Sequence, residues 1–113
     1  MITGNTANNG DVGFYDYYSY NEVWKNNTAN DNSGDGFYFE YTASYMATNN
    51  TALRNGADGF DITENYSYEN FYDFSNNTAK KNSSYGFYAD YGVPGSGNIA
   101  KKNHPNCYNV DCN

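Results

Sequence analysis

The sequence has few of the residues that build a compact core. Leu, Ile, Val and Phe account for only 15 of its 113 residues, and Leu53 is the single leucine. The net charge is −7 and the mean hydropathy is −0.94. Such a composition is typical of disordered chains, but a content of 14 Tyr and 7 Phe is not. The order of the residues therefore has to decide whether the chain folds.

Other absences exclude whole classes of protein. No apolar run approaches the ~20 residues that span a bilayer, so we expect no membrane insertion. Six basic residues against 13 acidic ones argue against nucleic acid as a partner. Two Cys and one His cannot form a Cys/His zinc site. We expect no cofactor, with calcium as the one alternative.

What the sequence does have is a repeat of roughly 22 residues. Asn-Thr-Ala begins at Asn5, Asn27, Asn50 and Asn77, with Asn98-Ile99-Ala100 as a variant. A Gly-Phe pair follows in each of the first four units and supplies the column Phe14, Phe37, Phe60 and Phe87. Four residues before each Gly lies a third column, which the last unit continues: Asn9, Asn32, Asn55, Asn82 and Asn103.

Units of this length and composition predict a β-solenoid. Helical repeats need 33 residues or more, and leucine-rich repeats need several Leu in each unit. Asn, Gly, Thr, Tyr and Asp also disfavour helix interiors. We therefore predict an all-β, parallel β-helix of about five coils with three short strands each, forming one domain over residues 1–113.

The repeated columns are interpreted as structural ladders. Period-2 alternation places the Phe column inside, with Phe39, Ile62 and Ala89 beside it. Coils rise ~4.8 Å, so stacked Asn side chains in the turns can link their amides, and αL geometry suits Asn there. The longest step, of 27 residues, carries an insertion that we expect near 64–69 as a surface turn.

The Asn-Thr-Ala and Gly-Phe-Tyr elements resemble the right-handed parallel β-helix repeats of the NosD-like, pectin-lyase-like superfamily. The resemblance covers essentially the whole chain and implies a right-handed helix. The segment from Asn103 to Cys112 also resembles the Cys-bearing ends of some secreted bacterial members. Because this fold hosts many activities and also none, the resemblance is specific for fold and poor for function.

Catalytic residues are not expected. Family enzymes that cleave polyuronides use clustered Asp residues with an Arg or Lys, often with calcium. Arg54 is the only arginine and has no matching Asp cluster, and His104 lies beside Pro105 in the closing segment. The oxygen-rich stretch 30–36 resembles a calcium loop but lacks the full ligand register. The calcium alternative rests on Asp31, Asp35 and Asp58, which can equally be solvated turn acids.

Two further sets of residues are candidates for surface roles. Asn-x-Ser/Thr sequons, which the repeat itself generates in three cases, occur at Asn26, Asn49, Asn65, Asn76 and Asn82. Outward tyrosines predict an aromatic interaction surface that could stack on sugar rings or pack on another copy of the chain. Its residues are Tyr15, Tyr38, Tyr88, Tyr41 and Tyr45.

Cys107 and Cys112 are close enough in sequence to pair and close a terminal cap over residues 104–113. A disulfide indicates an oxidising compartment, so we expect an extracellular or cell-surface protein. The first hypothesis is a secreted, non-catalytic structural β-helix that forms an extracellular filament or a cell-surface fibre by head-to-tail assembly with itself, because the exposed sheet edges of terminal coils favour association. The alternative is a carbohydrate-binding module or a fragment of a larger surface or polysaccharide-active protein, and an enzyme is third.

Overall fold

The computed structural model describes residues 1–42, 44, 46–65 and 71–113, and all regular structure in these ranges is β-strand. No helix in this part of the chain is long and apolar enough to cross a membrane. Four coils contribute three strands each, and a fifth contributes two. In coil order the strands are β1 (Ile2–Thr3), β2 (Thr6–Asn8), β3 (Phe14–Tyr17); β4 (Val23–Lys25), β5 (Thr28–Asn30), β6 (Phe37–Glu40); β7 (Met46–Thr48), β8 (Thr51–Leu53), β9 (Phe60–Thr63); β10 (Asp73–Ser75), β11 (Thr78–Lys80), β12 (Phe87–Ala89); β13 (Ile99–Lys101) and β14 (Cys107–Tyr108).

Strands of successive coils pair in parallel and form three sheets. Sheet A has the order β1-β4-β7-β10, sheet B the order β13-β11-β8-β5-β2, and sheet C the order β14-β12-β9-β6-β3. The predicted right-handed parallel β-helix is confirmed, with one difference in the last coil. There the segment 94–96 lies beside β10 without forming a further strand of sheet A. The backbone amides of Phe74 and Asn76 donate to the carbonyls of Pro94 and Ser96 at 2.8 and 2.9 Å.

The core consists of one narrow column of side chains from each of sheets A and B and two from sheet C, the second of which is the expected set Phe39, Ile62 and Ala89. The predicted Phe column is confirmed: Phe37, Phe60 and Phe87 are fully buried, and ring centroids along it lie 5.0, 4.6 and 4.9 Å apart, beginning at the half-buried Phe14. Sheet A supplies Trp24, Ala47 and Phe74, and sheet B supplies a buried column of alanines at 29, 52, 79 and 100. A thin interior of this kind needs few aliphatic residues, which accounts for the composition.

Each Gly-Phe glycine lies where the coils approach most closely. A Cβ built on Gly59 would meet the carbonyl oxygen of Gly86 at 2.6 Å, Nδ2 of Asn82 at 2.7 Å and Cβ of Ala79 at 3.0 Å. Real Cβ atoms essentially never come so close to backbone atoms. The alanine and asparagine columns therefore leave no room for a side chain at the glycine position.

Two asparagine ladders run through the turns, and only one of them was predicted. In the predicted ladder each Nδ2 donates to Oδ1 of the next asparagine at 2.9–3.0 Å, along Asn32, Asn55, Asn82 and Asn103. In the second ladder the corresponding distances are 3.1–3.2 Å, along Asn5, Asn27, Asn50, Asn77 and Asn98.

The assignment of Asn9 to the first ladder is wrong. The backbone amide of Gly10 donates to Oδ1 of Asn32 at 3.0 Å, so Gly10 holds the ladder position in the first coil. Asn9 has a φ of 60° and is the left-handed residue before it. Asn26 and Arg54, with φ of 58° and 54°, likewise precede ladder asparagines. The left-handed turn and the amide ladder therefore use adjacent residues rather than the same one.

The insertion is only partly at the surface. Asn65 is fully buried and its Nδ2 donates to the carbonyl of Tyr91 at 2.8 Å. Phe71 is also buried, and its ring lies 5.1 Å from Phe39 and 5.2 Å from Phe74. The stretch 66–70 lies outside the described residues. Both described ends of the insertion therefore anchor it in the core.

The C-terminal segment closes the last coil. The disulfide between Cys107 and Cys112 is present. Cys107 pairs in register with Phe87, and Cys112 forms a parallel bridge with Asn98. Val110, which lies within this loop, is buried and belongs to the hydrophobic core. The disulfide thus ties sheet C to the beginning of sheet B.

Candidate functional site: the outer face of sheet C

The side chains that project outward from sheet C form a single column, in strict register from coil to coil. Its members, in order, are Tyr15, Tyr38, Asp61, Tyr88 and Tyr108. The column therefore consists of two tyrosine pairs separated by one aspartate. Tyr108 was missed from the sequence because the last coil has Cys107 in place of the Phe that marks the other four.

The tyrosines of each pair stack on each other. The ring centroids of Tyr15 and Tyr38 lie 5.0 Å apart with planes 12° from parallel, and those of Tyr88 and Tyr108 lie 5.4 Å apart with planes 11° from parallel. The outward tyrosines therefore do not form a flat surface of rings whose faces all point to solvent. Within each pair the facing surfaces are covered, and a face remains for a ligand where the stack ends.

Carboxylates and a hydroxyl hold the rings in place. The Tyr15 hydroxyl donates to Oε2 of Glu40 at 2.6 Å, and the Tyr88 hydroxyl donates to Oδ1 of Asp90 at 3.0 Å. These hydrogen bonds are the main reason that the pKa of each tyrosine is raised to about 12. Thr63 donates through Oγ1 to the Tyr38 hydroxyl at 3.4 Å. The hydroxyl contacts therefore fix the orientations of the rings.

Three aspartates converge at the middle of this face. Carboxylate oxygens of Asp35, Asp58 and Asp61 lie within 4.8 Å of one another. Asp35 accepts the backbone amide of Asp58 through Oδ1 at 2.8 Å, and Asp58 accepts that of Tyr85 through Oδ1 at 2.8 Å. The first two acids thus serve as hydrogen-bond acceptors between coils, which is a structural role.

Asp61 differs from its two neighbours. Its Oδ1 is buried and has no hydrogen-bond partner among the described residues. Burial, and then the negative charge of Asp35 and Asp58, raises the pKa of Asp61 to about 7. Burial likewise raises the pKa of Asp35. A carboxyl group in this state favours either a proton or a cationic ligand.

The predicted calcium residues do not all come together. Asp31 lies in the turn before Asn32 and accepts Nε and Nη2 of Arg54 at 2.7 and 2.8 Å. This ion pair lowers the pKa of Asp31. The expected set is therefore wrong in including Asp31, and Asp61 takes its place beside Asp35 and Asp58. Calcium takes six to eight oxygen ligands, so three carboxylates are at most part of a site.

A second group of tyrosines lies at the corner that follows sheet C. The rings of Tyr18 and Tyr41 stack at 4.8 Å, and Tyr17 lies edge-on to Tyr18 at 4.8 Å. Tyr17 also lies 6.1 Å from Tyr15, which joins the corner to the column. Tyr45, which the sequence also placed on this surface, lies outside the described residues. The outer face is thus aromatic along sheet C and around one corner.

The sequons divide into exposed and buried positions. Asn26, Asn49 and Asn76 are exposed, each in the left-handed turn before a ladder asparagine. Asn65 is fully buried and Asn82 is 2% exposed, with both amides engaged in hydrogen bonds. The expectation of glycosylation at Asn65 and Asn82 is therefore wrong for the folded chain, because a glycan has no room there.

One buried acid was missed. Asp16 occupies the inward position that Phe39 fills in the next coil, and it is 6% exposed. Trp24 donates through Nε1 to Oδ2 of Asp16 at 3.0 Å, Ser19 donates to its Oδ1, and Ser44 lies at 3.5 Å from Oδ2. The alternation along Phe14-Tyr15-Asp16 already indicated an inward Asp16. Its oxygens are all satisfied, so its role is structural.

Comparison with known protein families agrees with this architecture. A family model described as "Right handed beta helix region" matches residues 1–109. Comparison with the curated proteins and with the solved structures finds no match. The family match covers nearly the entire chain and coincides with the three parallel sheets. The chain therefore belongs to the right-handed β-helix family.

Proposed function

We propose that this β-helix is a non-catalytic, extracellular or cell-surface protein that binds polysaccharide on the outer face of sheet C. The observation that carries the proposal is the interrupted tyrosine column, with Tyr38 and Tyr88 each stacked on one side and tethered through the hydroxyl. Aromatic faces flanked by fixed carboxylates suit sugars, because C–H groups pack on the rings while hydroxyl groups donate to the acids.

The setting of the column also favours an extended ligand. Tyr15 and Tyr108 mark its two ends, four coil steps apart, which corresponds to roughly 19 Å at ~4.8 Å per coil. Several aromatic contacts are therefore available to a chain of sugar units, whereas a single small molecule would use only one of them. The disulfide at Cys107 and Cys112 supports an oxidising location, where polysaccharides are accessible.

Binding to insoluble and soluble polysaccharides, measured by co-sedimentation and calorimetry, tests this proposal. We expect Tyr38→Ala and Tyr88→Ala each to weaken binding, since each removes a free ring face. Tyr20→Ala is the matched control, because Tyr20 is 52% exposed and lies outside the column. Equal affinity of all three variants and the parent chain would refute a role for sheet C.

Self-assembly is the second candidate function, and a different observation favours it. Strands β1, β2 and β3 form the ends of the three sheets and pair on one side only. Phe14 at this end is only half-buried, in contrast to the rest of its column. A further coil, from the same protein or from another copy, would cover this edge. Light scattering over a range of concentrations tests it, and persistent monomers would argue against assembly by this chain.

A further inference from the structure

The stack of tyrosines is broken at one position, and the break has a defined size. Tyr38 and Tyr88 belong to the coils on either side of Asp61 and pair with it in register. Two coil steps separate their backbones, or roughly 9.6 Å. Stacked rings one step apart in this molecule lie 4.6 to 5.4 Å from each other. The gap therefore has room for one ring between the two tyrosines.

The inner faces of these tyrosines are available. Tyr15 covers the opposite face of Tyr38, and Tyr108 covers the opposite face of Tyr88. Tyr85 also contacts Tyr88, with ring centroids 5.3 Å apart and planes inclined by 56°, but among the described residues no ring stacks in parallel on either tyrosine on the side of Asp61. The Tyr88 hydroxyl is held by Asp90 of its own coil, and the Tyr38 hydroxyl is held by Thr63 at the end of the strand that carries Asp61, so both rings keep fixed orientations beside the gap. The faces of Tyr38 and Tyr88 that point toward each other are therefore uncovered, and the carboxyl group of Asp61 lies between their strands.

The charge around the gap selects the ligand. Asp61 forms the floor, carboxylates of Asp35 and Asp58 approach it within 4.8 Å, and Glu40 and Asp90 flank it. Arg54, the only arginine of the chain, is engaged by Asp31. The gap is therefore negative, and a ligand that carries positive charge gains both from these acids and from the two tyrosine faces.

We propose that the gap between Tyr38 and Tyr88 binds an amino-sugar unit of a polysaccharide, with its pyranose ring between the two tyrosines and its ammonium group on Asp61. This inference rests on the proposed function and names the class of sugar. A guanidinium is as thick as a tyrosine ring but covers less of each ring face, whereas the chair of a pyranose carries C–H groups on both of its faces. A neutral sugar fills the space but leaves the acids without a counter-charge.

The probes are glucosamine oligomers, N-acetylglucosamine oligomers and glucose oligomers of equal length, each β-1,4-linked. We expect calorimetry to show about tenfold tighter binding of the glucosamine oligomer than of the other two. This preference should fall as ionic strength rises, because salt screens the attraction. Tyr38→Ala and Tyr88→Ala should weaken binding of all three oligomers.

Two substitutions of Asp61 distinguish what its charge contributes to binding from what the space beside it contributes. Asp61→Asn keeps the gap and should abolish the preference for the glucosamine oligomer. Asp61→Tyr fills the gap with the residue that the other four coils carry, so the chain should fold and lose binding of every oligomer. Asp111→Asn is the matched control for net charge, because Asp111 is exposed near the C-terminus; it should leave the preference intact.

The outcomes distinguish this inference from the function on which it rests. Equal binding of charged and neutral oligomers would overturn the amino-sugar assignment and leave polysaccharide binding standing. Failure of every oligomer to bind would overturn the inference, and failure of the polysaccharides as well would overturn both. Binding of an oligoarginine peptide alone, lost in Asp61→Asn, would assign the gap to a cationic protein partner and would also overturn the inference. A preference that survives in Asp61→Asn would show that Asp61 is not its source.

Discussion

Asn32 donates two hydrogen bonds to one oxygen atom of Asn55. Its backbone amide lies 3.1 Å and its Nδ2 lies 3.0 Å from Oδ1 of Asn55, and both side chains are buried. Asn55 in turn donates through Nδ2 to the carbonyl of Ala29 at 3.1 Å and to Oδ1 of Asn82 at 3.0 Å. Each ladder asparagine thus satisfies backbone groups of a turn as well as its neighbour's side chain.

Asn55→Ala should be among the most damaging single changes in the chain. It removes the acceptor of the Asn32 backbone amide, one of the two acceptors of Asn32 Nδ2 and the side-chain donor to the Ala29 carbonyl, while Oδ1 of Asn82 keeps the backbone amide of residue 55. Unsatisfied buried groups cost about 1–3 kcal/mol each, so we expect a loss on the order of 3 kcal/mol or more in the free energy of unfolding by urea.

Asn5→Ala is the control for the ladder, because Asn5 is exposed and keeps its backbone hydrogen bond to Asn27. Its cost should be about 1 kcal/mol or less. Similar losses for Asn55→Ala and Asn5→Ala would show that the ladder is not a main source of stability.

Gly59→Ala should destabilise the fold by steric overlap. The added Cβ meets the backbone of Gly86 and the side chain of Asn82 below 3.0 Å, and overpacking of this kind costs about 1–3 kcal/mol or more. Gly10→Ala is the matched control, since the nearest atom to its Cβ is 3.5 Å away. Thermal unfolding followed by circular dichroism compares the two, and a melting temperature of Gly59→Ala equal to that of Gly10→Ala would contradict the close approach.

Reduction of the Cys107–Cys112 disulfide should have a local effect. In the chain-entropy model so small a loop contributes roughly 2 kcal/mol. Hydrogen exchange should show lost protection in β13 and β14, with the β5 and β8 amides nearly unchanged. A double Cys107→Ser, Cys112→Ser variant should behave like the reduced chain. A uniform loss of protection in either form would contradict a local effect of the disulfide.

The pH dependence of stability should report Asp61. Its folded-state pKa of about 7 exceeds the usual value of 3.8, because burial and nearby acids disfavour the charged form. The folded chain therefore holds this proton more tightly than the unfolded chain, and stability falls as the pH rises from about 4 to 7. The neighbours that act on it are Asp35, Asp58, Asp90 and Glu40.

Asp61→Asn should flatten this pH profile and raise the melting temperature at pH 8 relative to the parent chain. The measurement is thermal unfolding between pH 4 and 8 in the presence of a chelator, so that no divalent cation binds the acids. Calcium added afterwards tests the cation alternative, which predicts a stabilisation lost in Asp61→Asn. A parent profile that rises through pH 4–7 would contradict the protonation of Asp61.

The repeat made the interior predictable, since stacked coils place equal residues above one another. Phe37, Phe60 and Phe87 were therefore found from spacing alone. The register of Asn9 was wrong because it was counted back from the Gly-Phe pair, across a turn that is one residue shorter in the first coil. Counting forward from Asn5 would have placed Gly10 in the ladder.

The site was less predictable, because it depends on how rings orient against neighbouring coils. The outward positions of Tyr38 and Tyr88 followed from alternation, but their stacking on Tyr15 and Tyr108 did not. The outward position of Asp61 was also evident in Phe60-Asp61-Ile62. That Asp61 interrupts a stack of tyrosines is recognised only from the register of the strands, because Asp61 is the one non-aromatic member of the column.

Tyrosine ring signals in NMR spectra, followed during titration with a glucosamine oligomer, test the central claim most directly. The account predicts that the rings of Tyr38 and Tyr88 shift together at one affinity, with Tyr20 unaffected, and that these shifts vanish in Asp61→Tyr. Shifts confined to the corner tyrosines Tyr17, Tyr18 and Tyr41, or no shifts at all, would contradict a binding site on the outer face of sheet C.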